Sequence, residues 1–310
     1  MKRSIKALTV IALGLSLVTA ACGSDDDDNN DSASTTAAAA KPKIKIGAQA
    51  FGESKILAEI YKQGLEAKGY DVSFHDVGGF RDLEMKAFES GTINFAPEYA
   101  ASMLEFLNGK KGEATSNAGE TAEKLNVVLV PKKLKALLVS PAVDTNAFVV
   151  KKATADRLGL KSLSDLAAKG EGLKIGGPSD CETNPFCVPG LKTKYGVDFS
   201  AKFQALETGQ IAQALDADSI DVAVLFSTDG RIKAKNYVLL QDDKSMLAAD
   251  NVLAVVTDEL ALDPDLVREV ANITRELSTD ALIEMNKRFD IDKEDAADIA
   301  KAFLTDVGLL

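Results

Sequence analysis

Two rhythms of apolar and polar positions alternate along most of the chain. Ile44-Lys45-Ile46-Gly47 repeats every second residue, as a short half-buried strand does. Ile56, Leu57, Ile60, Tyr61 and Leu65 then fall on one side of a helix spanning Ile56 to Lys68, closed by Gly69. Tyr70 to Val77 returns to the two-residue period, Arg81 to Ser90 to the helical one, and Ile93-Asn94-Phe95 is a brief strand. Pro97-Glu98-Tyr99 leads into a helix over Ser102–Leu107, followed by a polar loop from Asn108 to Asn117. Thr121–Leu125 is helical, and the apolar run Val127-Val128-Leu129-Val130 predicts a strand, as do Leu137–Val139 and Phe148–Val150. Pro141 to Asn146 is an irregular connection between the last two.

The same alternation continues through a second set. Helices are expected at Ala153–Leu158 and Asp165–Lys169, the latter capped by Ser162 or Ser164. A strand over Leu173–Gly177 enters a glycine turn, a helix follows at Pro189–Tyr195, and Phe203–Leu206 reads as an edge strand. Gly209–Leu215 is helical, Asp221–Phe226 is a strand opening into Ser227-Thr228-Asp229-Gly230, and Val238–Leu240 and Val252–Val256 are the last strands. Beyond Pro264 every segment has helical spacing (Leu266–Leu277, Thr279–Arg288, Lys293–Val307), with Ser278 and Asp292 as caps. This order predicts an α/β protein in two lobes. Ligands in open α/β sheets settle beyond the carboxyl ends of strands, which places Gln49, Phe51 and Ser54 at a candidate site.

The first residues belong to a different regime. Lys2, Arg3 and Lys6 precede an apolar run from Ala7 to Ala20, which reads as a secretory leader over 1–21. Leu17-Val18-Thr19-Ala20-Ala21-Cys22 is similar to a bacterial lipoprotein signal, with Cys22 as the lipid-bearing residue. Residues 22–42, with the acid run Asp25–Asp28 and a Ser/Thr/Ala tract, read as a disordered tether. The expected location is therefore the outer face of the bacterial cytoplasmic membrane, through a lipid anchor. A formal net charge of −11 argues against nucleic acid as a partner, because phosphate contacts dominate that affinity. With Cys22 given to lipid, Cys181 and Cys187 remain as an even pair in an exported chain, and a disulfide is expected. No metal site or cofactor is expected, since the chain has one histidine.

Ile46-Gly47-Ala48-Gln49-Ala50-Phe51-Gly52-Glu53-Ser54-Lys55-Ile56-Leu57 resembles the "GSKxFxEQxIL" opening of osmoprotectant ABC-importer binding proteins, which carry glycine betaine, choline or carnitine. Pro97–Ser102 resembles their "PEYTGT", Leu163–Leu166 their "ISDL", and Pro189-Gly190-Leu191 with Tyr195-Gly196 their "LPGLxxxYG". Phe226–Gly230 resembles "YSTDG", Leu240–Lys244 "LEDDK", and Ala302-Phe303-Leu304 with Gly308-Leu309 the "AxxFLxxxGL" end. The resemblance implies a two-lobed periplasmic-binding-protein-like fold (type II) with a ligand cleft between lobes joined by two hinge strands. Lobe I would be 43–145 plus 252–310 and lobe II 146–251, with hinges at Pro141–Asn146 and Gln241–Asn251. It also implies a monomer that closes on a small solute and delivers it to an ABC permease and its ATPase, without catalysis.

Such proteins grip a trimethylammonium group in a box of tyrosines. Carried over, the box falls on Tyr99, Asn146 (preceded by Asp144), Phe226 and Asp250. The family's carboxylate-binding arginine falls on Asn184, its first polar ligand on Gln49, and the threonine ending "PEYTGT" on Ser102; Thr228 lies in the turn after Phe226. Two aromatic walls and the guanidinium clamp are thus replaced, which implies a cationic or polyhydroxylated solute rather than strictly glycine betaine. Two other functions fit the sequence less well or equally: a secreted hydrolase, for which no nucleophile elbow is present, and a tethered sensor that binds without transport.

Overall fold

The computed structural model describes residues 41–310, and these contain two five-stranded sheets. The leader expected over 1–21, nearly all of the tether expected over 22–42, and Cys22 lie outside the described residues. The first sheet has the order β2-β1-β3-β10-β4, with β1 Ile44–Ala48, β2 Val72–Asp76, β3 Phe95–Tyr99, β4 Leu134–Val143 and β10 Asn251–Thr257. The second has the order β7-β6-β8-β5-β9, with β5 Asn146–Lys151, β6 Ile175–Gly177, β7 Phe203–Ala205, β8 Val222–Phe226 and β9 Tyr237–Leu239. In each sheet four strands share one direction, and the fifth, β10 in the first sheet and β5 in the second, lies antiparallel between two of them.

Central strands are apolar on both faces because helices cover both sides. In β10, Val252, Ala254 and Val256 enter one core, while Leu253 and Val255 enter the opposite one. β8 divides likewise, Val222 and Val224 against Ala223 and Leu225. The C-terminal helices Pro264–Glu276, Thr279–Asp290 and Ala296–Asp306 return to the first sheet. There Leu266, Val270, Ile273, Leu282, Ile299 and Leu304 share a core with Ile44, Ile56 and Tyr61. The chain passes between sheets twice, through Asp144-Thr145 and through residues 240–250, and the Asp144 amide donates to the Asp250 carbonyl at 3.0 Å.

Several local expectations are corrected. Val127–Val130 is not a strand: a helix runs Ala118–Leu129, its Thr121, Leu125 and Leu129 buried at four-residue spacing while Val127 is 72% exposed. Pro97 and Glu98 belong to β3, not to a lead-in. Pro97 stands opposite Ala254 of β10, and β3 pairs with β1 at Phe95 but not at Pro97, so a nitrogen that donates nothing is tolerated on the β1 side. β4 continues through Pro141 to Val143 and Asn146 opens β5, which shortens the first connection to two residues. A helix at Gly230–Ala234, capped by Asp229, follows the Ser-Thr-Asp turn, and the last helix is capped by Asp295 rather than Asp292. Ser162, not Ser164, caps Leu163–Lys169, in a reciprocal box with Asp165.

Candidate functional site

Three loops follow the carboxyl ends of β1, β2 and β3, and they carry the aromatic part of the site. Tyr99 ends β3 and begins the helix Ala100–Asn108, while Phe51 precedes the helix Gly52–Glu66. Their ring centroids are 6.1 Å apart. Phe80, from the loop after β2, stacks on Phe51 at 6.5 Å with planes 18° apart.

Beneath the rings lies a network of buried acids. The Tyr99 hydroxyl donates to Glu53 Oε1 at 2.7 Å, and Asn286 Nδ2 donates to Glu53 Oε2. The same amide of Asn286 donates to the Thr228 carbonyl at 3.1 Å, so a helix of the first lobe holds the Ser-Thr-Asp turn of the second. The Gln49 amide N–H donates to Ser54 Oγ and its side chain donates to Glu98 Oε1, both at 2.9 Å. Arg81 grips Glu98 with two parallel bonds of 2.6 Å, and the Tyr99 amide donates to Glu98 Oε2 at 2.8 Å. Arg81 is therefore spent on an internal carboxylate. Burial works against the Arg81 charge, yet Glu98 beside it holds its pKa above the ordinary value.

Asp250 caps the helix that Tyr99 begins. Its Oδ1 accepts from the Ala101 and Ser102 amides at 2.8 and 2.9 Å, and its Oδ2 accepts from the Ser102 hydroxyl. Burial nevertheless lifts its carboxyl from 3.8 to about 6. Asp144 accepts from the Thr228 amide at 3.3 Å, and burial, then the charge of Glu53, push it well above the usual range. Burial also raises Glu53, and it raises the Tyr99 phenol, with Glu53, Asp144 and Glu98 adding to the effect.

The remaining residues singled out in the sequence sit on the second sheet. Asn146 pairs with Phe226 across β5 and β8, and its side chain donates to the Phe186 carbonyl at 3.1 Å. Asn184 accepts from the Phe186 amide at 2.9 Å, so it reaches Asn146 only through Phe186. Cys181 and Cys187 are bonded, with Cα atoms 5.2 Å apart, and frame that loop. Phe226 leaves 40% of its surface open. Thus Gln49, Phe51, Ser54 and Tyr99 form one group, Ser102 joins Asp250, and Asp144 joins Thr228. Asn146, Asn184 and Phe226 form a separate group on the second lobe. Sequence reasoning missed Glu53, Phe80, Arg81, Glu98 and Asn286 as participants. Glu53 and Glu98 stood inside motifs already quoted; nothing local marks Asn286, which lies 233 residues from its partner.

Two lobes, each a mainly parallel sheet with one antiparallel strand, and a polar and aromatic site beyond the strand ends define a substrate-binding protein. Residues 42–306 match the family described as the substrate binding domain of ABC-type glycine betaine transport systems, and the chain belongs to that family. It is 26% identical to the carnitine transport binding protein OpuCC of Listeria monocytogenes over 313 residues, covering 98% of this chain and 96% of the relative. The glycine-betaine-binding protein of Pseudomonas aeruginosa is 25% identical over 287 residues, covering 86% and 88%. A solved glycine betaine/carnitine/choline ABC transporter structure superposes with a TM-score of 0.74 at 25% identity, covering 86% of this chain and 99% of that one.

Proposed function

We propose that this substrate-binding protein captures a small organic cation between its lobes, with Tyr99 and Phe226 as the aromatic faces and Glu53, Asp144 and Asp250 as the source of negative potential. The observation that carries this reading is the surplus of buried carboxyls around Tyr99, whose nearby guanidinium, Arg81, is committed to Glu98. Buried acids with raised pKa values lower their energy when a cation arrives, and an aromatic face adds attraction without needing an N–H donor. A zwitterion gains less, since Asn184 offers an amide where a guanidinium would clamp a carboxylate. Gln49, Phe51, Ser54, Ser102, Asn146 and Thr228 complete the lining in this reading.

The wider assignment rests on the family and on the sequence. Lobe I is taken as 43–145 plus 252–310 and lobe II as 146–251, closing about the two connections. The chain acts as a monomer without catalysis, is tethered outside the cytoplasmic membrane through Cys22, and hands its solute to an ABC permease driven by its ATPase. Isothermal titration with choline, glycine betaine, carnitine and a polyamine tests the ligand class. Tightest binding by a cation without a carboxylate is expected, with affinity falling about tenfold or more in Tyr99→Ala and in Phe226→Ala. Tightest binding by glycine betaine or carnitine would refute the cationic reading.

A further inference from the structure

Phe80 is 60% exposed, yet the backbone beneath it is fixed on every side. Asp76 Oδ1 accepts from the Gly78 amide at 2.9 Å, and Gly78 takes a φ of +72°. The Gly79 carbonyl accepts from the Ala50 amide at 2.8 Å, which ties this loop to the one carrying Phe51. The Phe80 carbonyl accepts from Leu83 and Glu84 as the next helix begins, and the neighbouring Arg81 is held by Glu98. An open ring on an immobilised backbone is preorganised for contact.

Its position gives the contact a direction. Tyr99 is 5% exposed, Phe51 is half-buried and Phe80 is open, so the three rings grade from the buried acids out to solvent. The Tyr99 hydroxyl is bonded to the buried Glu53 at the inner end of this row, which is where the cationic reading puts the charged end of a ligand. Phe51 and Phe80 then offer apolar faces one ring further out, which an ammonium headgroup alone does not need.

We infer that Phe80 is a specificity-determining residue, and that the site takes an organic cation bearing an apolar or aromatic extension, the extension lying on the Phe51–Phe80 stack. This rests on the cationic reading above. The charged group selects for entry; the stack selects among cations by the body they carry.

Titration calorimetry with tetramethylammonium and benzyltrimethylammonium chlorides separates the two levels. The unsubstituted protein is expected to bind the benzyl compound about tenfold more tightly. Phe80→Ala should erase that preference while changing tetramethylammonium affinity by less than about twofold, with an unaltered melting curve because the ring is open. Tyr99→Ala should weaken both. If tetramethylammonium binds but the benzyl preference is absent, or survives Phe80→Ala, the inference about Phe80 is overturned and the cationic reading stands. If neither cation binds the unsubstituted protein, both fall.

Discussion

The Tyr99 hydroxyl is bonded to the carboxyl of Glu53 at 2.7 Å, so the orientation of the ring is fixed by an acid in another element. Two roles of Tyr99 can therefore be separated. Tyr99→Phe keeps the ring and leaves Glu53 Oε1 without its donor, which should cost about 1–3 kcal/mol of stability and leave cation affinity within a few-fold. Tyr99→Ala should lose affinity tenfold or more. Chemical denaturation and titration calorimetry on the two variants check the split; equal affinity loss in both would mean that the hydroxyl, not the ring, meets the ligand.

On the proposed cationic reading, the buried acids should make binding pH-dependent. Asp250 has its carboxyl raised by burial to about 6 from 3.8, and Glu53 and Asp144 are shifted in the same direction. A cation favours the ionised form of each, so its arrival lowers their pKa values and expels protons. Affinity for tetramethylammonium, whose charge does not titrate, should rise as pH goes from 5 to 7. Titrations near pH 6 in two buffers of different ionisation enthalpy should show net proton release. A flat profile would place the cation away from these carboxyls.

Glu84 gives a stability counterpart. It is fully buried beside Glu98, and burial, then the charge of Glu98, raises its pKa well above 4.5. The folded chain therefore holds this proton more tightly than the unfolded chain. Its contribution is fully present below the unfolded value near 4.5 and is lost as pH climbs toward the folded one. Glu84→Gln removes the loss: it should be more stable than the parent by about 1 kcal/mol or more at pH 7, with the gap closing near pH 4. Denaturant midpoints at the two pH values decide it.

What could be read from sequence followed the length scale of each interaction. β10 and β8 were legible because a strand covered on both faces must be apolar throughout, and the C-terminal helices because their periodicity is local. Val127–Val130 misled because a β-branched run matches a buried strand, whereas the deciding fact is which residues it packs against. The motif strings brought Tyr99, Phe226 and Asp250 forward. They gave no sign that Asp250 would cap the Tyr99 helix, or that Arg81 would be taken up by Glu98. Those pairings join residues far apart in the chain, and only the folded sheet brings them together.

Reduction of the Cys181–Cys187 bond tests a local restraint. The bond closes a short loop that carries Asn184 and Phe186, and Phe186 in turn receives the Asn146 amide. On the chain-entropy model, closure of so short a loop stabilises by roughly 2–3 kcal/mol. Reductant, or Cys181→Ala with Cys187→Ala, should lower stability by about that amount. Cation affinity should fall only a few-fold, because the acids and Tyr99 lie on other elements. Loss of all binding would show that the second-lobe loop carries more of the ligand than the first-lobe acids do.

Asn286 offers the most direct handle on how the lobes communicate. Its amide donates to Glu53 in the first lobe and to the Thr228 carbonyl in the second, placing one side chain between the acid that aims Tyr99 and the turn that follows Phe226. Asn286→Ala strips both acceptors. Glu53 is left with Tyr99 alone in a buried setting, which should cost about 1–3 kcal/mol, and the turn loses its tie to the first lobe. Asn286→Asp puts a second carboxylate against Glu53 and should destabilise further at pH 7 than at pH 5, since protonation of either acid relieves the repulsion. Small-angle scattering with and without tetramethylammonium reads the coupling. The parent should become more compact on binding, and Asn286→Ala should require more cation to reach the same compaction. If the substitution lowers the melting temperature yet leaves that dose unchanged, the amide braces the fold and takes no part in closure.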